Sequence, residues 1–96
     1  MYGYIYKTTN LVNNKVYIGQ KKSKTFLKNR YLGSGKRLKE AVQKYTKHNF
    51  IVELIDTAES ADELDNKEIF WINYFDSTKG EIGYNLSKGG ATPRGL

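Results

Sequence analysis

Two short segments near the N-terminus, residues 2–8 and 15–20, alternate in side-chain type: tyrosines recur at every second position of residues 2–6, and Val16 and Ile18 alternate with Lys15 and Tyr17. An alternation of period two is typical of a β-strand whose two faces meet different surroundings. Asn13 and Asn14 lie between the two segments, and asparagine tolerates the positive φ that a tight turn requires. The pattern therefore predicts an N-terminal β-hairpin.

The tyrosines of this hairpin are predicted to share one face. In a hairpin with an even-numbered loop, opposed residues have an odd sum of residue numbers, so Tyr6 and Tyr17 project from the same side. Ile5, Val16 and Ile18 then project from the other side. Because aliphatic side chains gain free energy on burial, their face is expected to meet the core. The tyrosine face is expected to lie near water or a cleft.

Two further elements are predicted in the middle of the chain, after a basic connector. Within residues 35–46, apolar side chains recur at i, i+3, i+4 and i+7, which predicts an amphipathic helix with Ser34 as its N-cap. Residues 49–56 carry apolar side chains at both parities. This pattern predicts a strand that is partly buried on both faces and is central in its sheet.

A third periodic segment opens with Ser60 and Glu63, a pair that forms a capping box at a helix N-terminus. Its apolar stripe advances by steps of three and four residues, and Glu68 stands in that stripe between Leu64 and Trp71. Burying an unpaired carboxylate is costly, so Glu68 should have a cationic partner, a metal ion or the edge of a cleft. Alternatively, the helix is rotated slightly and Glu68 lies on its flank.

Charge is distributed unevenly along the chain. Residues 1–50 hold 12 of the 16 Lys and Arg and one acid, Glu40, whereas residues 51–96 hold nine of the ten acids. A basic half of this kind suits phosphate binding, although a solvated surface gives the same count. Eight tyrosines favour a binding surface, because their rings stack and their hydroxyls form hydrogen bonds.

The composition also excludes several classes of site. The absence of cysteine excludes disulfides and thiolate zinc sites, and a single histidine, His48, excludes a multi-histidine metal cage. The chain has no apolar run long enough to cross a bilayer and no secretory signal. It is therefore expected to be soluble and cytoplasmic, with no membrane partner.

Four motifs in order resemble one family. The first is "YIYKTTNLVNNKVYIGQ", residues 4–20, which holds the triplets "YIY" at 4–6 and "YIG" at 17–19; "YLGSGKRLKEAVQKY", "KEIFWINYFDS" and "IGYNLSKGG" follow. This arrangement resembles the GIY-YIG nucleases, above all the catalytic modules of phage and intron homing endonucleases. The resemblance implies an α+β domain over residues 1–90, with a small three-stranded antiparallel sheet flanked by helices. Residues 91–96 would be a flexible tail or the start of a linker.

The resemblance implies a metal-dependent DNA endonuclease that uses one Mg²⁺ or Mn²⁺ ion and no small-molecule cofactor. Tyr6 would be the general base or would orient water, and Tyr17 would support it. Arg30 would bind the scissile phosphate, with Arg37 as the alternative. Glu68 would be the metal ligand, and Asn85 would support the site. Neighbouring phosphates would be bound by Lys22, Lys24, Lys36 and Arg37.

A second reading is a non-catalytic nucleic-acid-binding module that keeps this fold. For Tyr6 and Tyr17 the alternative to catalysis is cross-strand aromatic packing, and for Asn85 it is the capping of a turn. An inward acid at Glu68 favours the enzyme, because a binding module does not need one. The pattern leaves open whether the protein acts as a monomer or a weak dimer.

Overall fold

The computed structural model describes residues 1–26 and 31–90. In this part of the chain, three strands and two α-helices follow one another, with a short 3₁₀ turn before the last strand. Their order is β1 (Gly3–Asn10), β2 (Val16–Lys21), α1 (Lys36–Tyr45), the 3₁₀ turn (Lys47–Asn49), β3 (Phe50–Ala58) and α2 (Ala61–Phe75). The predicted tail, residues 91–96, lies outside the described residues.

The three strands form an antiparallel sheet in the order β2-β1-β3. This confirms the hairpin and the α+β fold class, but the prediction that the third strand is central is wrong, because β1 is central and β3 is an edge. The pairing of β1 with β3 shifts register between Ile5 and Tyr6, so β3 carries one extra residue there, Ile55. The bulge reverses the facing of the residues beyond it, so Val52 packs on the tyrosine face and Ala58 on the opposite face. The predicted burial of β3 on both faces is confirmed.

Both faces of the sheet are buried. On the aliphatic face, α2 covers a cluster that consists of Ile5, Ile18, Ala58, Leu64 and Ile72. On the tyrosine face, the connector after β2 places Phe26, Tyr31 and Leu32 over Tyr4, Tyr6 and Val52. The expectation that the tyrosine face lies near water or a cleft is wrong for Tyr4 and Tyr6, which are buried beneath aromatic side chains of the connector, but Tyr17 lines a cleft.

The two helices begin differently. Helix α1 has Gly35 as its N-cap, in extended conformation and without a side-chain cap, so the prediction of Ser34 is wrong by one residue. At the start of α2, the Ser60 hydroxyl accepts a hydrogen bond from the Glu63 N–H, at 3.1 Å. The Glu63 carboxylate accepts from the Glu59 N–H, at 2.9 Å, one residue further back than in a standard capping box.

Neither α1 nor α2 has the length and apolar character that a membrane span would need, and no other α-helix occurs in residues 1–26 and 31–90.

Asp56 ties the end of β3 to α2. Its carboxylate accepts hydrogen bonds from the Trp71 indole N–H, at 2.9 Å, and from the Lys67 ammonium, at 3.2 Å. Partial burial alone would raise the pKa of Asp56, but the hydrogen bonds from Trp71 and Lys67 outweigh it and lower the pKa below its usual value. The carboxylate therefore stabilises the fold above the pKa of about 3.9 that it has in the unfolded chain, and this contribution is lost as the pH falls through the lower folded value.

We predict that Asp56→Asn reduces the free energy of unfolding at pH 7 by about 1–2 kcal/mol, because charge-assisted hydrogen bonds are lost. Urea unfolding at pH 7 and at pH 3 measures the effect. The difference in the free energy of unfolding between wild type and variant should be smaller at pH 3 than at pH 7. Glu59→Gln, at an exposed acid just before α2, is the matched control. An equal difference in the free energy of unfolding at both pH values would contradict the stabilising role of the Asp56 charge.

Candidate active site

The second tyrosine of "YIY" lies opposite the glycine of "YIG" in the hairpin. Tyr6 in β1 pairs directly with Gly19 in β2. A Cβ atom on Gly19 would lie 2.3 Å from both the Cζ and the hydroxyl oxygen of Tyr6, far inside van der Waals contact. The ring therefore needs a bare backbone opposite it, and this steric requirement accounts for the glycine that ends "YIG".

Tyr6 is a core residue, with 1% of its surface exposed. Its ring centroid lies 6.2 Å from that of Tyr17 and 5.7 Å from that of Tyr31. Burial raises the pKa of Tyr6 far above its usual value, and the neighbouring Tyr17, Tyr31 and Glu68 raise it further. The Tyr6 hydroxyl is therefore neutral at physiological pH.

Tyr17 is only half-buried and lies at the margin of this aromatic cluster. Its ring packs against two glycines of the connector: a Cβ on Gly33 or Gly35 would lie 2.8 Å or 2.6 Å from ring carbons of Tyr17. Burial and the nearby Glu68 carboxylate raise the pKa of Tyr17, whereas hydrogen bonds with Ser34 and the Gly35 backbone oppose the rise. Tyr17 thus presents its hydroxyl near the Glu68 carboxylate.

Glu68 is buried at the centre of the inner face of α2, with 9% of its surface exposed. The buried residues of this helix are Leu64, Asp65, Glu68 and Ile72, while Trp71 packs at the margin of the core. The helix is rotated relative to the predicted stripe, but the rotation brings Asp65 inward and leaves Glu68 inside, not on the flank.

A single amide connects the two buried acids of α2. The Nε2 of Gln20, at the end of β2, donates to Oε1 of Glu68 and to Oδ1 of Asp65, each at 2.9 Å. Burial raises the pKa of Glu68, and hydrogen bonds from Gln20 and the Gly90 backbone act against this rise. The carboxylate is therefore held in one orientation but has lost much of its solvation.

Asn85 extends the sheet with its side chain. After α2 the chain returns beside β2, where the Val16 N–H donates to the Ile82 carbonyl, at 3.1 Å, and the Tyr84 N–H donates to the Val16 carbonyl, at 2.9 Å. The Asn85 amide continues this parallel ladder: its Oδ1 accepts from the Ile18 N–H, at 2.9 Å, and its Nδ2 donates to the Ile18 carbonyl, at 2.8 Å. Asn85 thereby holds the β2 backbone next to Tyr17 in place.

A cleft of about 200 Å³ opens where this ladder ends. Tyr17 approaches it from the tyrosine face of the sheet, Glu68 from the helix on the aliphatic face, and Asn85 from the returning segment. The remaining lining consists of Gly35, Ile72, Tyr84, Leu86, Ser87, Gly89 and Gly90. The structure thus brings Tyr17, Glu68 and Asn85 together, with Tyr6 packed beneath Tyr17.

The comparison with solved structures agrees with this geometry. The structure superposes on the catalytic domain of the intron endonuclease I-TevI, solved as a mutant, with a TM-score of 0.72 and 26% sequence identity over 96% of this chain and 98% of that one. The chain belongs to the GIY-YIG family. No family model matches it.

Relatives of this GIY-YIG chain are proteins of Enterobacteria phage T4. It is 41% identical over 91 residues to segE, a candidate endonuclease by name, with 86% of this chain and 44% of the relative covered. It is 46% identical over 54 residues to the endonuclease segA, with 56% of this chain and 24% of the relative covered. The chain thus spans less than half the length of these relatives.

The predicted phosphate-binding residues that the structure describes are not part of the cleft lining. Lys22 and Lys24 are exposed after β2, with the Lys22 ammonium 5.2 Å from the Tyr2 ring centroid. Lys36 and Arg37 are exposed in the first turn of α1. Arg30, the predicted phosphate-binding arginine, lies outside the described residues.

Three further residues belong to the GIY-YIG site, and sequence reasoning missed them. Gln20 shares the parity of Ile18, which already points it toward α2. Asp65 precedes Glu68 by three residues and so lies on the same helical face. Tyr31 has no such signal, because the connector lacks periodicity, yet it contacts Tyr6 and lies 4.2 Å below the Lys21 ammonium.

Proposed function

We propose that this GIY-YIG domain is the catalytic part of a metal-dependent endonuclease that hydrolyses DNA phosphodiester bonds. The observation that carries the proposal is the buried Glu68 carboxylate, held by Gln20 at a cleft that Tyr17 and Asn85 also line. An acid with this burial has no packing advantage over an apolar residue. Such a residue at the wall of a cleft favours a chemical role.

The relatives support DNA as the substrate and hydrolysis as the reaction, because segE, segA and I-TevI are all named as endonucleases. The net charge of +6 and the basic N-terminal half suit a polyanionic substrate. We further propose that the domain acts in the cytoplasm of a bacterial or phage-infected cell, as a monomer or weak dimer. Sedimentation at several protein concentrations would test the oligomeric state.

The positions of the two tyrosines favour an exchange of the roles that the motif suggested. Tyr6 is buried and its pKa is strongly raised, so it suits packing and the support of Tyr17. Tyr17 lines the cleft, and in our proposal its hydroxyl orients the attacking water. The water oxygen then bonds to phosphorus, and one ester oxygen leaves with a proton.

The residues at the cleft fit one hard divalent cation. No group of three or more His, Cys, Asp or Glu side chains that could hold a metal ion occurs within residues 1–26 and 31–90. Mg²⁺ prefers oxygen ligands and retains several waters, so the Glu68 carboxylate can serve as its one protein anchor. When bound, the ion would act as a Lewis acid on a phosphate oxygen.

Incubation with supercoiled plasmid tests the proposal. With Mg²⁺ or Mn²⁺ the protein should convert the plasmid to nicked or linear DNA, and EDTA should abolish this conversion. A gel-shift assay on the same samples reports binding separately. Binding without cleavage under every divalent metal tried would reject the enzyme and leave a nucleic-acid-binding module.

A further inference from the structure

A second depression adjoins the cleft on the far side of Tyr84. It has a volume of about 360 Å³ and lies between the hairpin turn, helix α1 and the segment after α2. Three cations line it, together with one acid and several polar or small residues. Its full lining, hereafter the basic groove, is Asn13, Lys15, Arg37, Glu40, Ala41, Lys44, Tyr45, Gly80, Gly83 and Tyr84.

Within the described residues, three lysines outside the basic groove form ion pairs with acids, whereas the three cations that line the groove do not. Lys7, Lys67 and Lys79 each lie within 4 Å of a carboxylate. Among the residues that the structure describes, Lys15, Arg37 and Lys44 form no such ion pair, although Glu40 shares their groove. Unpaired cations that face one groove produce a positive potential there.

The walls of the groove are rigid. Asn14 adopts a positive φ of 65° in the hairpin turn, and the Lys15 N–H donates to the Asn13 side chain, at 2.9 Å. The Tyr84 hydroxyl accepts hydrogen bonds from Asn10, at 3.0 Å, and Asn13, at 3.3 Å. Tyr84 is therefore a fixed partition that lines both the groove and the Glu68 cleft.

We propose that the basic groove binds the sugar-phosphate backbone of DNA where it leaves the cleft, with Lys15, Arg37 and Lys44 as phosphate contacts. This inference rests on the proposed function and adds the direction of the DNA path. Arg37 and Lys44 are seven residues apart on α1, about 10 Å along its axis. That distance corresponds to about three nucleotides of duplex at 3.4 Å each.

The salt dependence of DNA binding tests the groove, because each phosphate contact releases counterions. Affinity for a 40-base-pair duplex would be measured by fluorescence anisotropy in EDTA, which prevents cleavage, between 50 and 200 mM KCl. Lys15→Gln/Lys44→Gln should reduce the slope of log affinity against log salt by about two. Lys7→Gln/Lys67→Gln changes net charge equally, at lysines that already pair with acids, and should leave the slope nearly unchanged.

Glu40 provides a test of opposite sign. Removing the one acid of the groove with Glu40→Gln should tighten binding about two- to fivefold, as expected for one exposed charge. Thermal melting confirms that each variant is folded. The proposal that the groove binds DNA would be refuted if the two lysine double variants had equal slopes of log affinity against log salt. It would also be refuted if Glu40→Gln did not tighten DNA binding. Plasmid cleavage by wild type is scored separately, so a failure of the groove remains distinct from a failure of the enzyme.

Discussion

Glu68→Gln is expected to reduce the rate of plasmid cleavage by about 100- to 1000-fold while leaving the protein folded. The loss follows from removing the carboxylate anchor of a Lewis acid that contributes several kcal/mol to the transition state. Glutamine has nearly the same shape, and its Oε1 can still accept the hydrogen bond that Gln20 donates to Glu68. Cleavage would be followed on gels at saturating protein and 5–10 mM Mg²⁺.

The stability of the same variant should change in the opposite direction. Burial raises the pKa of Glu68, so the ionised carboxylate destabilises the metal-free protein at neutral pH and a neutral isostere relieves that penalty. Without metal, Glu68→Gln should therefore melt at or above the wild-type temperature. Mg²⁺ should raise the melting temperature of the wild type and not that of the variant.

Glu59→Gln is the matched control for Glu68→Gln, because it removes the same charge from an exposed acid just before the same helix. Its cleavage rate and its stabilisation by Mg²⁺ should equal those of the wild type. Cleavage by Glu68→Gln at the wild-type rate would refute the metal ligand. A slow Glu68→Gln enzyme that Mg²⁺ still stabilises would mean that the ion binds elsewhere.

The facing of the hairpin residues could be predicted from the sequence, because the pleat of a strand is local geometry. Parity alone placed Tyr6 and Tyr17 on one side, and their ring centroids are 6.2 Å apart. What covers that side was not predictable. Phe26, Tyr31 and Leu32 come from a connector without periodicity, and nothing in their spacing indicates that they fold back over the tyrosines.

The prediction that β3 is the central strand was wrong for a different reason. Apolar residues at both parities correctly indicated burial on two faces, since Val52 packs on the tyrosine face and Ile55 on the aliphatic face. An edge strand that is covered on both faces has the same pattern as a central one, and local sequence does not encode which strands pair beside it. The mistake therefore concerns sheet order and not the existence of the strand.

The site was predictable to the extent that helical and strand periods determine facing. The period of α2 placed Glu68 inside, and the same rule applied to Gln20 and Asp65 would have found both neighbours. Asn85 is different, because its role depends on the return of the chain beside β2. A side-chain amide that replaces a backbone step of a ladder has no signature beyond an asparagine in a glycine-rich segment.

Gly19→Ala is expected to destabilise the protein by about 1–3 kcal/mol, although a glycine in a strand is normally improved by alanine. The sign is set by Tyr6, whose Cζ and hydroxyl oxygen would each lie 2.3 Å from the new methyl group. The ring cannot swing away, since Tyr4, Tyr17 and Tyr31 surround it and 1% of its surface is exposed. Urea unfolding would measure the loss.

A double-mutant cycle isolates the contact, because leucine at position 6 lacks the distal ring atoms that collide with the methyl group. In a Tyr6→Leu background, Gly19→Ala should cost at least about 1 kcal/mol less than in wild type. Gly80→Ala is the control, since a Cβ there meets nothing within 4 Å and its φ is not positive. If Gly19→Ala is as harmless as Gly80→Ala, or equally costly in both backgrounds, the glycine at position 19 needs an explanation other than contact with the Tyr6 ring.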